Sequence, residues 1–146
     1  MNTVQPIRNL SQIKQMESIL LKQSTRNYIL FRLGIYSGLR ISDILNLKVG
    51  DLRNKKYFSL KMKKTKKPVQ VKIQQTLLKE IENFIKDRPD SEYLFKSRKG
   101  DNSPIQNMQA WRIINNAAKK VGINGEIGTH SLRKTFGYFM YEHCGK

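Results

Sequence analysis

Three basic stretches of the sequence carry residue types that can bind a phosphate group and neutralise its charge. The first is centred on Arg40, which follows the helix-breaking Gly38 and lies at the entrance of a predicted short helix. A guanidinium presents several coplanar N–H donors, so it can hold a phosphate through two hydrogen bonds. An arginine that pairs with Asp43 or caps the preceding helix is the alternative, and this stretch alone leaves both open.

The second stretch is a lysine-rich turn between two predicted strands. Nine basic residues and no acidic one lie between Leu52 and Ile73. They are Arg53, Lys55, Lys56, Lys61, Lys63, Lys64, Lys66, Lys67 and Lys72. A solvated surface and the protection of an edge strand are ordinary reasons for such a run. Because the charge is concentrated on a tight turn, which can lie on a phosphate backbone, the pattern favours contact with nucleic acid.

The third stretch is His130-Ser131-Leu132-Arg133. Residues three apart share a face of a helix, so His130 and Arg133 can address one ligand together. At a helix N-terminus, free backbone amides add a further preference for an anion. The alternative is a histidine packed in the core beside a surface arginine. Two arginines, a lysine and a histidine suit phosphoryl transfer, in which catalysis is mostly positioning and charge neutralisation.

Composition limits the classes of partner and compartment. The chain has 146 residues, enough for one domain with a real core, and its 28 basic and 11 acidic residues give a net charge of +17. Such an excess predicts a polyanionic partner, most commonly nucleic acid. No basic helix has the broad apolar face of a membrane-surface segment, and no apolar run is long enough to span a bilayer. With no signal peptide and only Cys144, we expect a cytoplasmic protein without disulfides or a Cys-rich zinc site.

Hydrophobic spacing predicts a mainly α-helical chain with one small antiparallel β-sheet, an α+β fold. Helices are predicted to begin at Ser11 and Thr25, to contain Ile41–Leu47 and Thr76–Lys86, and to begin again at Ser103 and Thr129. The strands are predicted at Tyr57–Met62 and Val69–Ile73. The predicted helix that begins at Ser103 has a predicted inner face of Met108, Trp111, Ile114, Ala117 and Ala118.

Capping residues and breakers predict the boundaries of these elements. Ser24 or Thr25 caps the helix that leads to Gly38, and Ser42 is predicted to cap the helix after Arg40. Val49–Asp51 is predicted to form a turn. Ser103-Pro104-Ile105-Gln106 combines an N-cap serine, a proline at the first helical position and a capping-box glutamine, so it predicts a helix start.

The three basic stretches, taken in order, resemble the tyrosine recombinase (phage integrase) family. The resemblance is carried by Gly38-Leu39-Arg40-Ile41-Ser42-Asp43, a lysine in the hairpin, and His130-Ser131-Leu132-Arg133-Lys134-Thr135-Phe136-Gly137. It covers nearly the whole chain and implies the mainly helical catalytic-domain fold of that family. The implied activity is site-specific DNA recombination or integration of the kind used by mobile elements. In the intact protein, a tyrosine would cut a strand and form a 3′-phosphotyrosyl link.

The resemblance also implies a role for each matching residue. Arg40 and Arg133 would grip the scissile phosphate, and His130 would assist proton transfer. Asp43 would support Arg40. Lys64 would protonate the leaving 5′ oxygen, with Lys63 and Lys66 as alternatives, and Lys63, Lys66 and Lys67 would also contact DNA. The implied partners are double-stranded DNA and other recombinase protomers, without a metal, another cofactor or a membrane.

The tyrosine nucleophile is the departure from the family pattern. In the family it follows H-x-x-R by a few tens of residues, whereas 146 − 133 = 13 residues follow Arg133 here. Tyr138 and Tyr141 fall inside the same predicted helix as Arg133, where core packing is the expected role. We therefore expect residues 1–146 to form a single catalytic domain without its C-terminal part, its nucleophile or a separate N-terminal DNA-clamping domain.

Two other classes of protein remain as alternatives. A non-catalytic DNA- or RNA-binding module could use the same basic face, and the missing nucleophile favours it. A basic ribosome-associated protein fits the charge but does not explain the order of the three stretches.

Overall fold

Helices form most of the structure, as the sequence predicts. The computed structural model describes residues 6–55, 57–61, 68–72, 74–123 and 127–144. The helices are α1 (Leu10–Gln23), α2 (Thr25–Ser37), α3 (Ile41–Leu45), α4 (Val49–Leu52), α5 (Gln75–Ile85), α6 (Asn107–Lys120) and α7 (Thr129–Cys144). Within these ranges, no helix is both long and apolar enough to cross a membrane.

Two short strands, β1 (Tyr57–Lys61) and β2 (Pro68–Lys72), pair in antiparallel register. Tyr57 lies opposite Lys72, and Lys61 lies opposite Pro68. The intervening residues 62–67 lie outside the described part of the chain. The predicted leaving-group lysine and its neighbours are in this segment, namely Lys63, Lys64, Lys66 and Lys67.

Capping residues fix the start of α1 and both ends of α2. Asn9 is the N-cap of α1, since its side-chain oxygen accepts hydrogen bonds from the backbone amides of Ser11 and Gln12 at 2.8 and 3.3 Å. The helix therefore begins at Leu10, one residue before the predicted Ser11. Ser24 caps α2 by accepting from the Asn27 amide at 3.4 Å. Gly38 ends α2 in the left-handed region, with φ of 71°, which glycine adopts without a steric penalty.

The predicted helix start at Ser103–Gln106 is wrong. The amide of Ser97 donates to the Ser103 carbonyl at 2.7 Å, and the amide of Ile105 donates to the Phe95 carbonyl at 2.9 Å. These bonds hold the segment extended, so α6 begins only at Asn107. The turn predicted at Val49–Asp51 is also wrong, since these residues belong to the short helix α4.

Helix α2 lies between two apolar clusters and contributes to both. Ile29, Leu30 and Leu33 pack into one cluster with residues of α3, α4 and α5. Phe31 and Ile35 pack into the other with residues of α1, α6 and α7. Because α2 is shared by both clusters, its C-terminal end at Gly38 has a fixed position relative to α7.

A buried ionic network links α2 to α1 and α5. Arg32 Nε lies 3.1 Å from Glu17 Oε2, and the same guanidinium pairs with Glu80. The Tyr28 hydroxyl also donates to Glu80, and Arg32 stacks on the rings of Tyr28 and Tyr36 at 5.7 and 5.0 Å. Burial raises the pKa of Glu17 despite the attraction of Arg32, so desolvation is the larger effect at this carboxyl group.

Candidate active site

Helices α2 and α7 cross where α2 carries glycines. A Cβ atom at Gly34 would lie 2.5 Å from Leu132 Cδ1, and one at Gly38 would overlap the ring of Phe136. Side chains at either position would force the helices apart. The crossing therefore sets the segment after Gly38 directly beside one turn of α7.

Arg40 lies two residues beyond this crossing, at the N-cap position of α3. Its carbonyl accepts from the amides of Asp43 and Ile44 at 3.0 and 3.1 Å, while its side chain makes no capping hydrogen bond. The predicted N-cap, Ser42, lies inside the helix, so that prediction is wrong. Asp43 lies in the first turn of α3 and is 3 % exposed.

The Arg40 side chain is half-buried, and its Nε is shielded from solvent without a hydrogen-bond partner in the described part of the chain. A buried donor of this kind carries a desolvation cost unless a ligand satisfies it. Gly38 forms the C-cap of α2 through its own backbone amide, which donates to the Gly34 carbonyl at 3.2 Å. The Nε donor of Arg40 thus has capacity for one further hydrogen bond, such as one to an anion.

His130 and Arg133 lie in the first and second turns of α7, and both side chains are exposed. Exposure excludes the core-packed histidine that the sequence left open. Leu132, between them, is buried against Gly34. The helix therefore directs its apolar face to α2 and leaves His130 and Arg133 accessible to a ligand.

Two hydroxyl side chains on the buried face of α7 hold it in place, and the sequence reasoning missed both. Ser131 and Thr135 are 0 % and 1 % exposed. Thr135 Oγ1 donates to the Ser131 carbonyl at 2.6 Å and accepts from the Ile7 amide at 2.8 Å. Their spacing of four residues, flanked by Leu132 and Phe136, was the available signal that this polar pair faces inward.

The crossing places two of the predicted site residues on either side of one contact. Arg40 follows Gly38 by two residues, and Arg133 precedes Phe136 by three, while Gly38 and Phe136 meet directly. His130 lies one turn before Arg133. The predicted lysine lies outside the described residues, so the structure places Arg40, Asp43, His130 and Arg133 but not Lys64.

A second basic surface lies between α1 and α6. A groove of about 400 Å³ is lined there by Arg112, Lys119 and Lys120 together with side-chain amides and Ile113. The amides belong to Gln23, Gln109 and Asn116. The lining contains no carboxylate, so the groove favours an anion.

The amino-acid sequence matches the model of the phage integrase family over residues 9–145. The chain belongs to the phage integrase family. It is 47% identical to the probable integrase/recombinase YoeC of Bacillus subtilis (strain 168) over 142 residues, covering 97% of this chain and 77% of YoeC. It is 32% identical to the tyrosine recombinase XerA of Pyrococcus furiosus over 134 residues, covering 90% of this chain and 46% of XerA. The chain thus spans about half the length of that relative.

Solved structures share the fold. The crystal structure of XerA recombinase superposes with a TM-score of 0.77 at 22% identity, covering 99% of this chain and 53% of that one. The structure of lambda integrase residues 75-356 bound to DNA superposes with a TM-score of 0.75 at 16% identity, covering 99% of this chain and 54% of that one. These matches identify the tyrosine recombinase catalytic-domain fold.

Proposed function

We propose that this integrase-family chain binds duplex DNA and supplies most of the phosphate site of a tyrosine recombinase. Arg40 and Arg133 hold the scissile phosphate from opposite sides, His130 assists proton transfer, and Asp43 supports Arg40. Lys64 protonates the leaving 5′ oxygen, with Lys63 or Lys66 as the alternative. Family membership and the crossing of α2 and α7 support this assignment.

In the intact recombinase, the reaction transfers a phosphoryl group from the 5′ oxygen of one DNA strand to a tyrosine oxygen. The phenolic oxygen of a tyrosine attacks phosphorus and loses its proton with the assistance of His130, the bond to the 5′ oxygen breaks, and the lysine gives that oxygen a proton. The 5′ hydroxyl of another strand reverses the step, so the phosphodiester energy is retained in the 3′-phosphotyrosyl link. Two arginines stabilise the charge that develops on the non-bridging oxygens.

The observation that carries the proposal is the shielded Nε of Arg40. Its donor has no partner among the described residues, and it lies two residues from the contact between Gly38 and Phe136. A phosphate at this place would satisfy the buried donor and lie beside the α7 turn that exposes Arg133.

The basic groove between α1 and α6 extends the proposed DNA contact beyond the reacting phosphate. Arg112, Lys119 and Lys120 would neutralise backbone phosphates there. The lambda integrase relative has been solved as a dimer bound to a core site. By analogy, we propose that this chain acts with other protomers on DNA, which would place it in the cytoplasm.

Non-catalytic nucleic-acid binding is the second candidate function, and Tyr138 favours it. Its ring packs edge-on against Phe139 at 5.1 Å, and Arg8 lies over it at 5.8 Å. A tyrosine engaged in this way is not placed to attack a phosphate held by Arg133.

The salt dependence of DNA affinity tests the proposed interface. If about 6–10 phosphates are contacted, affinity for duplex DNA should fall roughly 10³–10⁵-fold between 50 and 200 mM salt. Replacing Arg112, Lys119 and Lys120 by Gln should lower the slope of log affinity against log salt by about 0.9 per lost contact. The measurement is fluorescence anisotropy of a labelled duplex across a salt series.

A charge-matched control separates the groove from net charge. Replacing Lys14, Lys79 and Lys86, which are exposed on or just after α1 and α5, by Gln removes the same charge elsewhere. Equal slopes for the two triple variants would show that the groove makes no phosphate contact. A wild-type affinity that does not change with salt would contradict phosphate contact as the basis of DNA binding.

A further inference from the structure

Helix α6 holds the chain immediately before α7 by two contacts. Asn115, only 5 % exposed, donates from Nδ2 to the Ile127 carbonyl at 3.0 Å. The indole of Trp111 lies directly against Gly128, where an added Cβ would be 2.5 Å from both Cδ1 and Nε1 of the ring. The backbone two and three residues before His130 is therefore fixed by side chains of α6.

Two hydrogen bonds join Gly128 to Ser131 in the first turn of α7. Its amide donates to Ser131 Oγ at 3.0 Å, and its carbonyl accepts from the Ser131 amide at 3.0 Å. His130 lies in the chain between these two hydrogen-bonded residues, and its side chain is exposed. A shift of Gly128 would consequently turn the His130 backbone and re-aim its imidazole.

Trp111 is a large apolar residue that remains 39 % exposed, so burial alone does not explain its position. Its contact with the glycine backbone is the specific feature of its environment. Catalytic groups need support that holds them within a fraction of an ångström of the productive geometry. We propose that Trp111 and Asn115 are positioning residues, which set the direction of the His130 imidazole toward the scissile phosphate. The inference rests on the proposed role of His130 at that phosphate.

Histidine NMR provides a readout that a purely structural role would not move. The chain has two histidines, His130 and His143, so their imidazole signals are readily assigned, and His143 is an internal reference. The probe is a short duplex DNA, added to saturation while the His130 Cε1–H signal is followed. In the wild type this signal should shift, because the imidazole meets a phosphate.

Four variants of the 146-residue chain complete the test. Trp111→Ala removes the ring, and Asn115→Leu removes the donor while keeping the volume. Both should lose most of the DNA-induced shift of His130. Their DNA affinity should stay within about threefold of wild type, since neither removes a positive charge.

Two further variants are controls. Trp111→Phe should keep the shift, because it retains an aromatic ring at Gly128. Met108→Ala, which removes an exposed apolar side chain from the same helix, should leave the shift unchanged.

The outcomes distinguish this inference from the function on which it rests. If Trp111→Ala and Asn115→Leu are folded by circular dichroism and show the wild-type shift of His130, the positioning role is overturned. If Trp111→Ala fails to fold, Asn115→Leu decides by the same criterion. A wild-type His130 signal that does not respond to bound DNA overturns the proposed role of His130 itself, and that failure appears without any variant.

Discussion

Single residues at the α2–α7 crossing set how closely the two helices that carry the proposed arginines approach each other. Gly38 meets two requirements at once, a left-handed backbone and contact with the Phe136 ring. Gly122, at the end of α6, has a similar φ of 80° but, among the described residues, no atom within 4 Å of an added Cβ. A side chain at Gly122 would meet backbone strain alone, whereas one at Gly38 would meet both backbone strain and a steric clash.

We predict different losses of stability for alanine at these two glycines. Gly122→Ala should lower the free energy of unfolding by roughly 1–2 kcal/mol, the strain of a left-handed alanine. Gly38→Ala should lose about 1–3 kcal/mol more, because its methyl group collides with Phe136. Urea denaturation of both variants measures the difference. Equal losses would show that the crossing can open at little cost.

We predict that the type of cation at Arg40 and Arg133 matters more than its charge. Lysine cannot reproduce the planar fork of a guanidinium. In a version extended to include a tyrosine nucleophile, Arg40→Lys or Arg133→Lys should slow cleavage on the order of 10²–10³-fold or more, by analogy with loss of a transition-state donor. DNA affinity should change little. Parallel losses of affinity and cleavage would instead assign the arginine to holding DNA.

At the scale of elements, sequence patterns predict helix bounds correctly where those bounds depend on neighbouring residues in the chain. Periodicity predicted a helix at Thr76–Lys86, and α5 spans Gln75–Ile85. Ser103–Gln106 carries every local signal of a helix start, yet pairing with Phe95 and Ser97 keeps it extended. The partners lie up to ten residues away, so no capping rule could reveal them.

The same limit applies to the supporting residues of the candidate site. The types and order of Arg40, His130 and Arg133 are visible in the sequence, because each lies in a short motif. Trp111 was predicted on an inner face, but its packing partner is the backbone of Gly128 in another segment. A glycine contact leaves no pattern of apolar spacing, so only the folded chain shows it.

Two carboxyl groups, Glu17 in α1 and Glu92 in the segment between α5 and α6, should affect stability with opposite dependence on pH. Burial between α1 and α2 raises the pKa of Glu17, so its favourable contribution is present below the unfolded value of about 4.3 and declines as pH rises through the folded value. A hydrogen bond from Arg88 lowers the pKa of Glu92, whose contribution is lost as pH falls.

Matched glutamine variants test these signs. The unfolding free energy of wild type minus that of Glu17→Gln should decrease from pH 4 to pH 7. The same difference for Glu92→Gln should decrease from pH 5 toward pH 3, because protonation breaks the pairs with Arg88 and Lys96 at 2.5 and 3.1 Å. Urea denaturation at each pH gives both curves. The same sign for both residues would contradict the assignment of burial as the larger effect at Glu17.

At the scale of the whole molecule, the shared central helix joins the two halves of the candidate site. Helix α2 packs into both apolar clusters, so its end cannot move without disturbing one of them. Arg40 is carried by that end, and His130 and Arg133 are carried by the helix packed across it. The proposed phosphate site would therefore be built by the packing of the core, while the exposed basic groups would supply the proposed attraction to DNA.

The last prediction concerns catalysis by residues 1–146 alone. Tyr138 is five residues beyond Arg133, which rotates it about 140° around α7, and Tyr141 is displaced roughly 12 Å along the axis. The Tyr138 ring also packs against Phe139 and Arg8. The chain should therefore bind a nicked suicide duplex without forming a covalent protein–DNA adduct, as assayed by denaturing electrophoresis on a sequence-randomised pool.

A version extended through a tyrosine nucleophile is the matched control for that assay and should form the adduct on the same pool. The chain must be assayed alone, because a tyrosine donated by a second molecule could restore cleavage. An adduct that survives denaturation and maps to Tyr138 or Tyr141 would contradict the prediction. In that case α7 would have to unwind between Arg133 and the tyrosine, since a continuous helix cannot bring the two groups to one phosphate.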